Sequence, residues 1–388
     1  MESEKDLLQT YYDEVIYLLK CGFHNTKYQL NENIDYKKLF AVARKHKVAN
    51  LLFSVLKDAG LDKDVLKYFD NENKTIIAQV TMQEVYAEQL FNCLENAKIK
   101  YVPLKGWFIR PLYPKTMMRF SCDVDVLYDK DKKEQVAKIM EENGFKFIQS
   151  GPYDDEYTLG FVTIEMHHSL MSHDDLFQEY YKNVWDRFVR YKGEYAYRFN
   201  DEDDFVFMIT HLVKHYLYGG TGIRSAFDVY VYLKAKNLDM DYVYGELDKL
   251  KLSDFTKELL TVTEKWFGDN CGEYNKAVAT HLIESGIYGT KEMEFCYLNA
   301  VQSDRTTNGK LSKKKYYFNR IFPTYKQMST RYKVLKKHAY LLPIFYVVRW
   351  FQAVFSKKDF KKEKDFVSSI DQEKVQKCRD ILEKSKLI

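Results

Sequence analysis

The chain has 388 residues, 46% hydrophobic and 30% charged, which is enough for two or three domains that bury their own cores. Its six cysteines form no C-x-x-C pair, which argues against a zinc ribbon or a disulfide framework and favours a reducing, cytoplasmic location. The acidic, amphipathic N-terminus, MESEKDLLQTYYDE, does not have the pattern of a signal peptide.

Residues 1–96 have the apolar spacing of helices. The stretch DYKKLFAVARKHKVANLLFSVLKDAG predicts a helix that ends at Gly60, because glycine commonly terminates helices. A longer amphipathic helix is predicted over NKTIIAQVTMQEVYAEQLFNCLENAKI. The sequence therefore predicts a helical N-terminal region.

The pattern changes over residues 97–195. Short runs rich in Val, Ile, Phe and Tyr predict strands, and DKKEQVAKIMEENGF predicts a helix ending at Gly144. The predicted strand runs are KYVPLKG, CDVDVLY, FKFIQ and FVTIEMHHSL. Helical periodicity returns over residues 196–304, and a basic helical segment, residues 305–388, follows. The predicted fold class is α+β, with a small mixed sheet between helical regions.

The basic segment contains no acidic residue between Asp304 and Asp359 but fourteen Lys and Arg. Since the whole chain has a net charge of +4, the remainder carries −10. This segment predicts a surface for phosphates, nucleic acid or anionic lipid, and a solubilising face is the alternative.

The stretch Ala339–Phe355 is the most apolar in the chain. It is shorter than the ~20 residues of a membrane span, and Pro343 and Arg349 interrupt it. These features favour burial within the protein over spanning a bilayer, with an interfacial helix as the alternative.

Two aspartates, Asp123 and Asp125, lie within the predicted strand CDVDVLY. Side chains alternate along a strand, so both carboxylates point to one face, ~7 Å apart along the chain, while Val124 and Val126 point to the other. Such a pair can share divalent cations that hold phosphates in a phosphoryl displacement. Solvent-facing acids on an edge strand are the alternative reading.

Residues on either side of this pair extend the pattern. Gly106 follows a strand and would let backbone amides approach a phosphate that Lys105 could neutralise. Arg119 lies four residues before Asp123, and Glu165 on another strand could complete a carboxylate triad. The predicted nucleotide-binding residues are Lys105, Gly106, Arg119 and Ser121.

The order strand, glycine, helix, D-x-D, helix, strand, carboxylate resembles that of the polymerase-β-like nucleotidyltransferases. More narrowly, VPLKGWFIRPLYPKTMMRFSCDVDVLY, NGF and IEMHHSL resemble a bacterial uncharacterised nucleotidyltransferase family with the pattern L-K-G, L-Y, R-x-x-x-D-x-D, G-F, E-x-H. The stretches HLVKHYLYGGTGIRSAFDVYVYL and RIFPTYKQMSTRYKVL are also similar to that family. The resemblance runs from VARKHKVANLL to about Arg349.

The resemblance implies attack of an acceptor on the α-phosphate of a nucleoside triphosphate, with release of pyrophosphate. It implies Mg²⁺ or Mn²⁺ on Asp123 and Asp125, with Glu165 as third ligand or base, and a phosphate-holding turn at Gly106. One departure matters, because the wider superfamily has Gly-Ser or Gly-Gly where this chain has Gly106-Trp107. Either Lys105 and Arg119 replace that serine, or triphosphate handling is altered.

The histidines require a separate interpretation. His211 and His215 are four residues apart on one predicted helix face, but no Glu of an H-E-x-x-H motif and no third zinc ligand accompanies them. They are predicted to line the substrate cleft, with a structural role as the alternative. His167 shares the strand face of Glu165 and is predicted to orient a carboxylate or meet a substrate. The predicted cleft residues are His167, His211, His215, Arg224 and Asp228.

The leading prediction is a metal-dependent nucleotidyltransferase with an unknown, anionic acceptor. The resemblance suggests a sugar or glycan acceptor, since members of that family are associated with surface-polysaccharide genes. Membrane-surface contact through the basic C-terminal segment is a further expectation, and nucleic acid is less favoured. The alternatives are a nucleotide-binding or scaffold module without turnover, and a toxin-type enzyme that modifies tRNA or protein.

Overall fold

The computed structural model separates the chain into two compact units. The first comprises Met1–Tyr216 and Gly220–Tyr288 with Leu387, and the second comprises Leu217–Gly219 and Gly289–Lys386 with Ile388. A mixed sheet flanked by helices in the first unit confirms the predicted α+β class. The described residues are 4–171, 177–217, 220–270, 272–286, 293, 295–297, 318, 321–325, 328–329, 332–355 and 372–388.

The first unit begins with four helices: α1 (Glu4–His24), α2 (Tyr36–Lys45), α3 (Ala49–Leu56) and α4 (Lys63–Asn96). The prediction of a single helix ending at Gly60 was wrong, because this stretch forms two separate helices, α2 and α3. Lys47 between them adopts a positive φ of 55°, and the Val48 N–H bonds back to the Ala43 carbonyl at 3.0 Å, which ends α2.

Helix α4 is longer than the sequence predicted, with 34 residues. Its N-cap is Asp62, whose carboxylate accepts hydrogen bonds from the N–H groups of Asp64 and Val65. Its buried stripe includes Ala87, Leu90 and Leu94, which pack on the sheet.

The sheet has five strands in the order β1-β2-β5-β4-β3. Strands β2 and β5 are parallel, and every other neighbouring pair is antiparallel. The strands are β1 (Tyr101–Pro103), β2 (Asp123–Tyr128), β3 (Lys146–Ser150), β4 (Asp154–Leu159) and β5 (Val162–His167). Helix α5 (Gly106–Ile109) follows β1, and α6 (Lys133–Glu142) joins β2 to β3. Strands β6 (Phe188–Arg190) and β7 (Tyr197–Phe199) form a separate two-stranded sheet.

The two faces of the five-stranded sheet differ in chemistry. One face buries apolar side chains such as Val126, Ile164 and Met166 against α4 and α6. Because side chains alternate along each strand, Asp123, Asp125 and Glu165 lie on the opposite face. The core on one side of the sheet therefore fixes the carboxylates on the other.

Five helices complete the first unit: α7 (Asp201–Leu217), α8 (Gly222–Ala235), α9 (Met240–Lys249), α10 (Ser253–Phe267) and α11 (Lys276–Ser285). Helix α8 packs against α10 and α11. Aromatic contacts tie these helices together, including Phe227 against Phe267 at 4.9 Å between ring centroids. This packing holds α8 in a fixed orientation.

The described part of the second unit includes α12 (Leu342–Phe355) and α13 (Gln372–Lys384). The burial predicted for Ala339–Phe355 was wrong for one face of α12, where Ile344 and Phe351 are exposed. Among the helices that the structure describes, none is long and apolar enough to cross a membrane. Much of the acid-free basic segment, including residues 305–317 and 356–358, lies outside the described residues.

We expect the substitution Ile164→Ala to lower the free energy of unfolding by about 2–5 kcal/mol, since it leaves a cavity in the core beneath the carboxylates. Ile148→Ala, on the exposed edge strand β3, is the matched control and should change it by about 0.5 kcal/mol or less. Urea titration followed by tryptophan fluorescence measures both values. Equal effects of the two substitutions would contradict the assigned core face.

Candidate functional site

The parallel pairing of β2 and β5 brings the acidic residues together. Asp125 lies opposite Glu165, and Leu127 lies opposite His167, so the polar side chains of both strands share one face. One ligand atom from each of Asp125, Glu165 and His167 lies within 4.8 Å of the others. The spacing of two residues in D-x-D and in E-x-H produces this cluster.

The Asp125 carboxylate is buried and doubly contacted. Its Oδ1 lies 2.9 Å from Lys105 Nζ and 2.8 Å from His167 Nε2. Burial alone would raise the pKa of Asp125, but the Lys105 ammonium and the His167 hydrogen bond outweigh it and lower this pKa. Asp125 is therefore an ionised carboxylate held between two proton donors.

His167 connects the two strands electrostatically. Its Nε2 also lies 3.4 Å from Glu165 Oε2. Burial would lower the pKa of His167, but hydrogen bonds to Asp125 and Glu165 outweigh it and raise this pKa. The Tyr153 ring stacks on the imidazole at 5.6 Å between centroids and fixes its plane.

Asp123 has the opposite electrostatic character. Burial, together with the nearby charge of Asp125, raises the pKa of Asp123 to about 6. Among the described residues, its carboxylate accepts a long hydrogen bond from Ser121 Oγ, at 3.4 Å. The surroundings of Asp123 therefore stabilise its charged form less than those of Asp125 do.

These residues fit a divalent cation. Carboxylate oxygens suit Mg²⁺ and Mn²⁺, and an imidazole nitrogen is also compatible with Mn²⁺. The raised pKa of Asp123 indicates a carboxylate that an added cation would stabilise in its charged form. Within the part of the chain that the structure describes, Asp125, Glu165 and His167 are the group of three metal-ligating side chains that meet this closely.

The turn after β1 brings backbone close to Arg119. Lys105 adopts a positive φ of 44°, which is uncommon for a residue with a Cβ, and precedes α5. A Cβ on Gly106 would lie 2.5 Å from Arg119 Nη1 and 3.3 Å from Ser121 Oγ, so a larger residue would have to displace the paired Arg119 guanidinium. Trp107, where the wider superfamily has serine or glycine, packs edge-on against Phe91 at 5.0 Å in the sheet core.

Arg119 forms a buried two-pronged ion pair with Asp228 on α8. Arg119 Nε and Nη2 donate to the two carboxylate oxygens at 2.9 and 3.0 Å, and Tyr113 Oη donates to Oδ1 at 2.7 Å. The sequence assigned Arg119 to nucleotide binding and Asp228 to the cleft. The structure joins them while both line the same cavity, and the buried Nη1, against Gly106, is the Arg119 nitrogen without a hydrogen-bond partner.

Helices α7 and α8 provide the polar side opposite the carboxylates. His211 Nε2 and His215 Nε2 lie 3.1 Å apart, and burial followed by the charge of Lys105 lowers the pKa of both, that of His215 to about 4. Both imidazoles are therefore neutral at pH 7. Arg224 Nη1 donates to the Phe120 carbonyl at 3.1 Å.

The sheet carboxylates, Lys105, His167 and the polar residues of α7 and α8 line one cavity of about 450 Å³. The four predicted cleft residues on α7 and α8 line this cavity: His211, His215, Arg224 and Asp228. They do not form one hydrogen-bonded cluster, because Asp228 pairs with Arg119. The sequence reasoning missed Tyr153 and Lys214, whose ammonium lies 4.5 Å from the centroid of that ring. The sequence signal that could have indicated Lys214 is its position between His211 and His215, directly before His215, on the same predicted helix.

Comparison with known proteins identifies a matching family. A family described as an uncharacterised nucleotidyltransferase matches residues 32–268, which is more than half of the chain. That range includes the sheet carboxylates, the Arg119–Asp228 pair and both α7 histidines. No curated protein and no solved structure matches significantly.

We expect Asp228→Asn to lower the free energy of unfolding by about 3–5 kcal/mol, because it leaves the buried Arg119 charge uncompensated. Asp241→Asn, at an exposed position on α9, is the matched control and should have little effect. The measurement is a urea titration of each variant. Combining Arg119→Met with Asp228→Leu should recover much of the loss, and equal stabilities of Asp228→Asn and the control would refute the assignment.

Proposed function

The chain belongs to the uncharacterised nucleotidyltransferase family, and from that premise we propose that it moves a nucleoside monophosphate from a nucleoside triphosphate to an acceptor. In this reaction an acceptor oxygen or nitrogen bonds to the α-phosphorus, the bond from that phosphorus to the bridging oxygen breaks, and pyrophosphate leaves. The observation that carries the proposal is the cluster of Asp125, Glu165 and His167 within 4.8 Å, with Asp123 on the same sheet face.

We assign Asp123, Asp125 and Glu165 as the residues that would hold Mg²⁺ or Mn²⁺. When bound, such an ion neutralises charge on the phosphates and orients the leaving group. His167 positions two of the ligands, since its Nε2 contacts both Asp125 and Glu165. Lys105 keeps Asp125 ionised, which favours cation binding.

The phosphate-holding groups are proposed to come from two sides of the cavity. Lys105 and the backbone at Gly106 form one side, with Ser121 Oγ beside them. Arg224 lies on the opposite side of the cavity. Burial is the largest effect on Asp123 and raises its pKa, and the nearby charge of Arg224 lowers that pKa in part. Arg119 acts mainly as a positioning residue, because two of its nitrogens bind Asp228.

Glu165 is the proposed base for the acceptor. Its side chain is about one quarter exposed, at 28%, whereas Asp125 is 6% exposed, so an incoming hydroxyl or amine meets Glu165 more readily. The proton of the acceptor would pass to its carboxylate as the new bond to phosphorus forms. The neutral His211 and His215 line the same cavity and suit a hydrogen-bonding acceptor such as a sugar hydroxyl.

An anionic acceptor, related to a sugar or glycan, remains our proposal. It rests on the fourteen cations of the acid-free segment and on the family resemblance. Acceptor binding should then weaken as ionic strength rises, because exposed charges are screened over ~8–10 Å at physiological salt.

The first test is pyrophosphate release from each nucleoside triphosphate with Mg²⁺ or Mn²⁺. We expect Asp125→Asn to lower the rate at least ~100-fold, because it removes a charged oxygen ligand. Asp131→Asn, an exposed aspartate beyond the end of β2, is the matched control and should retain the rate. An Asp125→Asn variant as active as this control would remove the carboxylates from the mechanism.

A nucleotide-binding module without turnover is the second candidate. Trp107 at the superfamily's serine position and Lys105 already bound to Asp125 favour it. Calorimetry distinguishes the two, since nucleotide binding without pyrophosphate release under any acceptor or metal would support the module.

A separate prediction concerns Arg224. Its replacement by Ala should weaken nucleotide binding by about 1–3 kcal/mol, as expected for loss of a charge-assisted contact. Lys234→Ala, on the same helix but bound to Glu264, is the matched control. Isothermal calorimetry with a non-hydrolysable nucleotide measures both, and unchanged affinity in Arg224→Ala would exclude it from the phosphate site.

A further inference from the structure

Helix α12 exposes an apolar stripe. Ile344, Val347, Val348 and Phe351 recur at helical spacing on one face, and the exposed fractions of Ile344 and Phe351 are 57% and 64%. Tyr340, just before the helix, is also exposed. Soluble proteins rarely expose continuous apolar surface of this kind unless it binds something.

The opposite side of α12 is held by packing, which fixes the orientation of the stripe. Trp350 Nε1 donates to the Ile321 carbonyl at 2.9 Å, and Tyr346 Oη donates to the Pro323 carbonyl at 2.7 Å. The Phe322 ring contacts both aromatic residues, at 5.3 and 5.5 Å between centroids. These contacts orient α12 so that its apolar stripe is exposed.

The charge around α12 indicates which partner fits. The helix lies within the acid-free segment, with the exposed Lys337 before it and Arg349 on the helix itself. Two copies of a surface with this charge would repel one another, which disfavours self-association. Nucleic acid would use the cations but not the aliphatic stripe. A bilayer containing anionic lipid satisfies both, since its headgroups attract Lys and Arg and its acyl boundary accepts Ile, Val and Phe.

We propose that α12, together with the described cations Lys337 and Arg349, forms a docking surface for anionic phospholipid bilayers. The helix lies in the plane of the interface and does not cross it, because 14 residues extend only about 21 Å against a hydrocarbon core of about 30 Å. This surface is independent of the proposed transfer reaction.

The test uses the full chain and co-sedimentation with vesicles of phosphatidylcholine alone or with about one third phosphatidylglycerol. Binding is expected only with the anionic lipid, and it should fall as salt rises. The double substitution Val347→Asp and Phe351→Asp should reduce the partition coefficient at least ~10-fold, because it removes apolar burial. A blue shift of tryptophan emission on vesicle addition would give a second readout.

Two matched controls separate this surface from general effects. Phe161→Asp, at a residue of the first unit that is 61% exposed, should leave vesicle binding unchanged. Lys337→Glu should weaken binding several-fold, whereas Lys37→Glu, at an exposed position on α2, should not.

Three results would overturn the proposal. One is equal binding to neutral and anionic vesicles, and another is vesicle binding that survives the Val347 and Phe351 substitutions. The third is a concentration-dependent dimer in light scattering that these substitutions abolish, with no vesicle binding, because the stripe would then contact a second copy. Pyrophosphate release without lipid reports on the transfer reaction separately.

Discussion

The buried carboxylate of Asp125 is the interaction on which the proposed site depends. A carboxylate that loses its hydration needs partners within hydrogen-bonding distance, and Asp125 has Lys105 and His167 on the same oxygen. Those two partners come from the turn after β1 and from β5, so satisfying one charge fixes three elements of the sheet. Asp123, with fewer donors around it, keeps a raised pKa of about 6 and therefore has more to gain from an added cation.

A second buried charge, Arg119, extends this organisation to the helices. Its pair with Asp228 joins the loop before β2 to α8, and the same guanidinium presses Nη1 against Gly106. A lysine could not replace it, because the two parallel hydrogen bonds require a planar guanidinium. One ion pair thus sets both the distance of α8 from the sheet and the backbone position at the glycine turn. Arg224, four residues before Asp228 on the same helix, is placed by this constraint as well.

The α+β class and the strand positions of the acidic pair could be predicted, because alternation around Val124 and Val126 and the switch from helical to strand periodicity are local signals. The sequence missed β4, whose residues DDEYTL include three acids. Tertiary contacts stabilise that strand: buried Asp155 accepts from Ser150 Oγ at 2.6 Å and pairs with Lys133. The Arg119–Asp228 pair was equally hidden, since 109 positions separate its partners and no local pattern records them. The residue assignments of the metal and nucleotide sites stay predictions.

The dipeptide Gly106-Trp107, where this sequence departs from Gly-Ser or Gly-Gly, can be explained by how the two residues pack. The partly buried Trp107 ring packs against the core between α4 and the sheet, where a serine would lose this apolar contact. Gly106 is retained because Arg119 and Ser121 occupy the space of a Cβ. Ser121 brings a hydroxyl to this turn from the neighbouring loop, since its Oγ would lie 3.3 Å from a Cβ on Gly106. Polar groups around the turn are therefore supplied by tertiary contacts.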